Sequence, residues 1–232
     1  MPFSLSNANE IIVINSFSTD KTIEICKRKN IKVFFNKFKS HGKQIMFALK
    51  FVKNEWVFVL DADEKFSTNL NNELIHFSPS DSMFAYKVKR LNYFSGKRIK
   101  FGTWRNDFPV RLFHKEYCKY NDLRVHASLS CEGDIGLLSN SLYHYSYKNI
   151  DHYVRKVGRF SSGAAQGIYD LGKKTSLIKI VSISLFRFLK SYIFLRGCKD
   201  GKYGFFIALL ESFYVALKYS LLLEMNINSK KH

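Results

Sequence analysis

Three short apolar runs separated by two helical patterns fill the chain before residue 61, and this alternation limits the fold more than any other feature. Glu10–Ile14 (EIIVI) is short and β-branched and reads as a buried strand. Ile31–Phe35 (IKVFF) is a second strand, and Trp56–Leu60 (WVFVL) is apolar enough throughout to be a central one. Between them, Asp20 is placed to cap a helix over Lys21–Lys29, and His41-Gly42 precede a helical stretch over Lys43–Val52. A β-α-β-α-β order predicts the α/β class: a Rossmann-like, largely parallel sheet with helices on both faces.

Further strands are expected at residues 83–91, which alternate, at Val110–Phe113 and at Ser141–Tyr147. A division is expected at about residue 150, with an α/β domain over 1–150 and a helical region over 151–232. Asn149 and Asp151 cap a helix through Phe160. In Ser176–Leu195, Lys179, Arg187 and Lys190 fall within roughly 80° on a helical wheel. Ile178, Val181, Leu185, Phe188, Leu189 and Tyr192 form the other face. A second helix, about Tyr203–Leu223, carries Glu211 and Lys218 on one side. Charges interrupt both segments, so neither is expected to supply the roughly 18–20 apolar residues of a spanning helix. They are expected to lie on a membrane surface, with Lys179, Arg187 and Lys190 toward lipid phosphates and Phe188, Leu189 and Tyr192 turned inward.

Lys and Arg number 37 and Asp and Glu 19, a net charge of +18, which calls for an anionic partner. Nucleic acid is not expected, because the lysines are dispersed and no recognition motif is present. The start MPFSLSNANE has no signal-peptide pattern. Cys26, Cys118, Cys131 and Cys198 are scattered, which predicts reduced thiols in a cytoplasmic protein.

The chemistry concentrates in Asp61-Ala62-Asp63-Glu64, directly after WVFVL. Carboxylates at the C-terminal end of a strand stand where open α/β sheets bind ligands. Asp61 and Asp63 lean to one side of an extended continuation and are hard oxygen donors suited to Mg²⁺ or Mn²⁺. Such an ion would neutralise a diphosphate leaving group. On the helix after the sheet, Lys156 and Arg159 face the same way and can hold the diphosphate of a donor. A solvated basic face is the simpler account of that pair. His126 and His144 sit in apolar or aromatic surroundings, the setting of hydrogen-bonded core or rim residues.

The runs EIIVINSFSTDKTIEIC, HGKQIMFAL and WVFVLDADE resemble glycosyltransferase family 2. WRNDFPVRLFHKE, RVHASLSCEG, LYHYSYKNIDHYVRKVGRF and the closing FLKSYIFLRGCKDGKYGFFIALLESFYVALKYSLL look like its bacterial lipopolysaccharide-core branch. The resemblance covers roughly residues 5–224. It implies a GT-A fold and inverting transfer of a sugar from a nucleoside diphosphate donor to a lipid-linked saccharide, with a divalent metal. It implies donor contacts at Asn15, Ser16, Asp20, Gln44 and Asp61, metal contacts at Asp61 and Asp63, and an acceptor side at Trp104, Arg111 and His126. The implied location is cytoplasmic, peripheral on the inner face of the bacterial inner membrane.

The chain also departs from this pattern. The family's first β-α unit, before EIIVI, is expected to be missing, since only about nine residues precede that strand here. Asn15 replaces the usual Asp, Phe17 a usual Gly, and Met46 an Asn. Ala127 follows Val125-His126 where the family has a Glu suited to be the catalytic base, and alanine cannot accept a proton. Asp107 is the first substitute and Glu132 the second. The alternative is a catalytically impaired remnant that acts as a binding or partner protein.

Overall fold

The computed structural model describes residues 8–120 and 129–229. They form two compact units: one holds the described residues up to Arg90 with Phe108–Tyr143, the other Leu91–Asp107 with residues from His144 onward. The units thus interleave along the chain.

In the first unit, β1 (Ile12–Asn15) and β2 (Lys32–Phe35) pair in parallel, from Ile12 opposite Lys32 to Asn15 opposite Phe35. The crossover that a parallel pair requires carries α1 (Thr22–Arg28), which buries Cys26. Asp20 starts this helix as expected: its Oδ1 accepts the Thr22 amide at 3.0 Å. α2 (His41–Leu49) begins at Ser40, whose hydroxyl accepts the Lys43 amide at 3.2 Å. β3 (Trp56–Phe58), β4 (Glu64–Phe66) and α3 (Thr68–Ile75) follow.

The remaining strands are β5 (Met83–Phe94), β6 (Lys97–Arg98), β7 (Val110–His114), β8 (Cys118–Tyr120), β9 (Leu129–Cys131) and β10 (Asp134–Tyr147). A six-stranded sheet runs β3-β7-β5-β10-β4, with β6 added on β5. β3–β7 and β5–β7 are antiparallel. Parallel pairing is therefore seen at β1–β2, and WVFVL stands at one end of its sheet's order rather than at the centre. The alternation in residues 83–91 was the visible sign of this, since it is the antiparallel pattern. Tyr86 and Val88 on one face of β5 join Phe66, Leu70, Leu112, Leu138 and Leu142 in one core. Ala85, on the opposite face, joins Ile45, Phe113 and Cys118 in another.

Two cysteines overturn the expectation of four reduced thiols. The antiparallel register of β8 and β9 sets Cys118 directly opposite Cys131, with Cα atoms 4.1 Å apart, and the two form a disulfide. Cys26 and Cys198 are free. Two cysteines 13 residues apart do not reveal from spacing alone that a hairpin brings them together.

The second unit contains α4 (Ile150–Asp170), α5 (Leu177–Leu189) and α6 (Lys202–Asn228). Asn149 caps α4 by accepting the His152 amide at 2.8 Å. Tyr153 and Val157 of α4 pack on Ile207 and Leu210 of α6, with Phe94 and Ile99 completing the cluster. Phe188 and Tyr192 stack on each other and meet Phe205 edge-on, so they do turn inward.

α6 corrects the expectation about spanning length. Among the described residues, it is a helix long and apolar enough to cross a membrane, with a mean hydropathy of 1.6 and a third of that window buried. Glu211 and Lys218 do not interrupt it, because both are accommodated. Glu211 accepts hydrogen bonds from Thr103 Oγ1 and, at 3.1 Å, from Trp104 Nε1. Lys218 lies over the rings of Tyr214 and Tyr219.

The first turn of α6 packs against the short 3-10 helix Gly197–Asp200 without room for a side chain. A Cβ at Gly204 would meet the Gly197 carbonyl oxygen at 1.8 Å. Alanine is favoured over glycine within helices by about 1 kcal/mol, yet overpacking here costs more, about 1–3 kcal/mol. Gly204→Ala is expected to lower the denaturation midpoint; an unchanged or raised midpoint would show that this contact relaxes freely.

Candidate functional site

The turn after β3 is shaped by its last residue. Glu64 donates its amide to the Asp61 carbonyl at 3.0 Å, closing the turn, and its carboxylate Oε2 accepts the Asp61 amide at 3.0 Å. The Glu64 side chain is fully buried, and its Oε1 accepts from Arg90 at 3.0 Å and from Arg111 Nη2 at 2.5 Å. The same Arg111 nitrogen bonds Asp61 Oδ2. His41 Nε2, at the start of α2, lies 3.8 Å from Asp61 Oδ1.

Burial works against the Arg111 charge, but Asp61 and Glu64 outweigh it and hold the guanidinium above its ordinary range. Burial also pushes the Tyr120 hydroxyl up to about 12, so it is neutral beside this network. Arg111, expected on the acceptor side, therefore acts in the first unit as the residue that orients Asp61. Glu64 and Arg90 were missed by sequence reasoning. A charged residue that is buried and paired looks in sequence like any surface charge.

Three of the expected donor contacts come together at the ends of β1 and β2. Asn15 is buried, its Oδ1 accepts the Ser18 amide at 2.7 Å, and its side-chain nitrogen has no partner among the described residues. Gln44 of α2 donates to Ser16 Oγ at 2.7 Å and accepts from Asn36 Nδ2. Asn36 is a second member that the sequence did not single out. Phe17, where glycine is usual, has φ of 61°, a left-handed conformation that glycine adopts without steric cost. Its ring leans on Phe35. Asp20 is spent on the Thr22 amide at the start of α1.

The other expected site residues belong to the second unit. Asp107 Oδ2 accepts from Asn92 Nδ2 at 3.0 Å, and the same amide donates to the Trp104 carbonyl at 3.1 Å. Asn92 Oδ1 meets His144 Nδ1 at 2.6 Å, and Ser146 meets the same ring nitrogen at 3.0 Å. His144 is thus a hydrogen-bonded member of the Asp107 network. Trp104 is tied to Glu211 and packs near Phe94 and Tyr147. Lys156 holds its ammonium 5.3 Å from the centre of the Tyr147 ring, whereas Arg159 is exposed. Glu132 is exposed. His126 and Ala127 lie outside the described residues.

Among the described residues, no three His, Cys, Asp or Glu side chains converge as a ready metal site. The donor set fits a divalent ion of another kind. Mg²⁺-type ions are usually held by one or two carboxylates plus substrate phosphates, and Asp61 and Asp63 are such a pair on one tight turn.

The model of glycosyl transferase family 2 matches residues 4–128, more than half of the chain. The chain belongs to glycosyltransferase family 2. It is 27% identical to an uncharacterized glycosyltransferase of Rickettsia typhi, over 96% of this chain and 80% of the relative. It is 28% identical to a second, from Rickettsia bellii, over 95% and 79%. A lipopolysaccharide core biosynthesis glycosyltransferase of Rhizobium meliloti, LpsC, is 25% identical over 92% of this chain and 82% of its own. The family 2 match takes in β1 to β8 and the DADE turn but stops before α4, whereas the relatives' alignments take in most of the chain. The protein is a glycosyltransferase with the expected α/β fold.

Removing one partner of a buried ion pair leaves an uncompensated charge, typically at a cost of about 3–5 kcal/mol. Arg111→Met should destabilise this glycosyltransferase by about that amount in urea denaturation. Arg111→Met combined with Glu64→Gln should cost less than the sum of the single changes. Additive losses would mean that Arg111 and Glu64 act independently.

Proposed function

We propose that this family 2 enzyme transfers a sugar, with inversion, from a nucleoside diphosphate sugar to a lipid-linked saccharide such as a lipopolysaccharide core. The work is done at the inner face of a bacterial inner membrane. The observation that carries the donor half of this reading is the fixed DADE turn, in which Arg111 and Glu64 hold Asp61 while Asp63 completes the pair. The acceptor half draws on the likeness to LpsC, a lipopolysaccharide core biosynthesis glycosyltransferase. The membrane location draws on the exposed apolar face of α5, where Leu177, Ile178, Val181 and Leu185 are more than half exposed.

In this reading Asp63, with Asp61 second, holds a divalent ion that offsets charge on the departing diphosphate. Asn15, Ser16 and Gln44 line the nucleotide side; Asn15 brings a buried amide nitrogen that a ligand oxygen would satisfy. Asp20 is the remaining donor contact of this reading. Asp107 takes the proton of the acceptor hydroxyl, with its Oδ2 oriented by Asn92. Trp104 and His126 belong to the acceptor side. Arg111 is assigned to positioning Asp61 instead.

Calorimetry with Mn²⁺ and a nucleoside diphosphate should show saturable binding to wild type and a loss of at least about tenfold in Asp63→Ala. Equal binding would overturn the metal assignment. In a transfer assay Asp107→Asn should lower the rate by roughly 10² to 10⁴. If the wild type binds nucleotide yet neither transfers sugar nor hydrolyses donor, the impaired partner protein that Ala127 suggests is the better description.

A further inference from the structure

The basic residues Lys179, Arg187 and Lys190 do not share one face. Lys179 and Lys190 are exposed, but Arg187 turns inward on the stripe that also holds Ile180, Ser184 and Ser191. Ser212 of α6 donates to the Ser184 carbonyl at 2.8 Å and fixes that stripe against α6. This corrects the expectation that Lys179, Arg187 and Lys190 form one outward-facing basic stripe. The Arg187 Nε is sealed from solvent and has no hydrogen-bond partner among the described residues.

A second cation lies on the facing helix. Lys218 places its ammonium 5.5 Å from the centre of the Tyr214 ring and 4.7 Å from that of Tyr219. Burial, and after it the charge of Arg187, pull its pKa below that of an ordinary lysine. Lys179 stands 5.9 Å from the same Tyr219 ring. Of the acids on α6, Glu211 is engaged by Thr103 and Trp104, and Glu224 is exposed. No ion pair among the described residues joins any of the three cations to a carboxylate. Lys218 and Arg187 are partly desolvated, and Lys179 shares the Tyr219 ring with Lys218; such cations without an ion-paired acid are expected to be balanced by an external anion.

The surroundings select the kind of anion. One residue along the chain from Lys179 and from Lys218, Ile180 and Leu217 line a groove of about 420 Å³ between α5 and α6, with Leu177, Leu221 and Ile227 on its apolar side and Glu224 and Asn228 on its polar side. On the outer face of α5, Leu177, Ile178, Val181 and Leu185 are exposed, Ile178 to 83%. Exposed apolar surface of this extent marks an interaction site. A charged head beside apolar surface matches an amphiphile rather than a free ion.

We propose that Lys179, Arg187 and Lys218 bind the phosphate of an anionic phospholipid, with its chains against the apolar surface of α5 and α6. This rests on the membrane-surface reading above and deepens it: the helices select a phosphate headgroup rather than adhering to negative charge in general. Arg187 supplies planar, directional donors, and the two lysines supply charge around Tyr219.

The test is flotation of the full chain with two sets of vesicles matched in surface potential. One set carries phosphatidylglycerol, the other a phosphate-free carboxylate lipid. Wild type should favour the phosphate vesicles by roughly tenfold. Arg187→Met and Lys218→Met should each abolish that preference, while Lys27→Met, on α1, should keep it. Removing an uncompensated cation should also leave the lipid-free melting temperature of Arg187→Met and Lys218→Met at or above that of wild type. A fall in both would show the cations to be structural and overturn the site.

Flotation of wild type without preference between the two vesicles overturns the phosphate site and leaves the membrane reading standing. No flotation with either overturns both. Soluble glycerol phosphate that competes as well as the lipid at equal phosphate concentration would reassign the site to a free anion and overturn the lipid proposal.

Discussion

Arg111 bonds Asp61 and Glu64 through a single nitrogen, and the DADE turn depends on that contact. A short turn carrying three carboxylates would otherwise repel itself and sample many conformations. Glu64 goes fully into the interior because Arg90 and Arg111 meet it there, and its second oxygen holds the Asp61 amide. The ionic contacts thereby become a geometric constraint. Asp61 is left only partly exposed, with its direction set by a residue of β7. A buried ion pair of this kind is a poor source of net stability. Its value lies in fixing where a carboxylate stands before any substrate arrives.

The second unit manages charge differently. Glu211 enters the packed side of α6 as a hydrogen-bond acceptor for Thr103 and Trp104, without a cation. Lys218 and Lys179 rest on tyrosine rings, and the sealed Nε of Arg187 has no partner among the described residues. Asp107 is set by Asn92, which also meets His144, so a carboxylate, an amide and an imidazole share one network. One unit matches buried acid with buried base; the other leaves positive charge on hand among apolar helices.

Local pattern determined much of this protein. Short β-branched runs placed β1, β2 and β3, and capping residues placed the starts of α1 and α4. Asp61 and Asp63 of the DADE turn were legible because they follow an apolar strand directly. The grouping of Asn15, Ser16 and Gln44 was legible only through family resemblance, and the tertiary contacts added Asn36 to it.

What the tertiary structure alone decided were the pairings of residues far apart in sequence. Antiparallel register joined Cys118 to Cys131 and set β3 at the end of its sheet's order. Arg111 was paired with Asp61, 50 residues away, and Glu211, expected to interrupt an apolar run, was absorbed into the packed side of α6. The physical reason is common to all of these. Periodicity reports which face of an element is apolar, a property of neighbouring residues. The fate of a single charged or sulfur-bearing side chain depends on which distant partner the fold brings within hydrogen-bonding or bonding distance, and no local pattern encodes that distance.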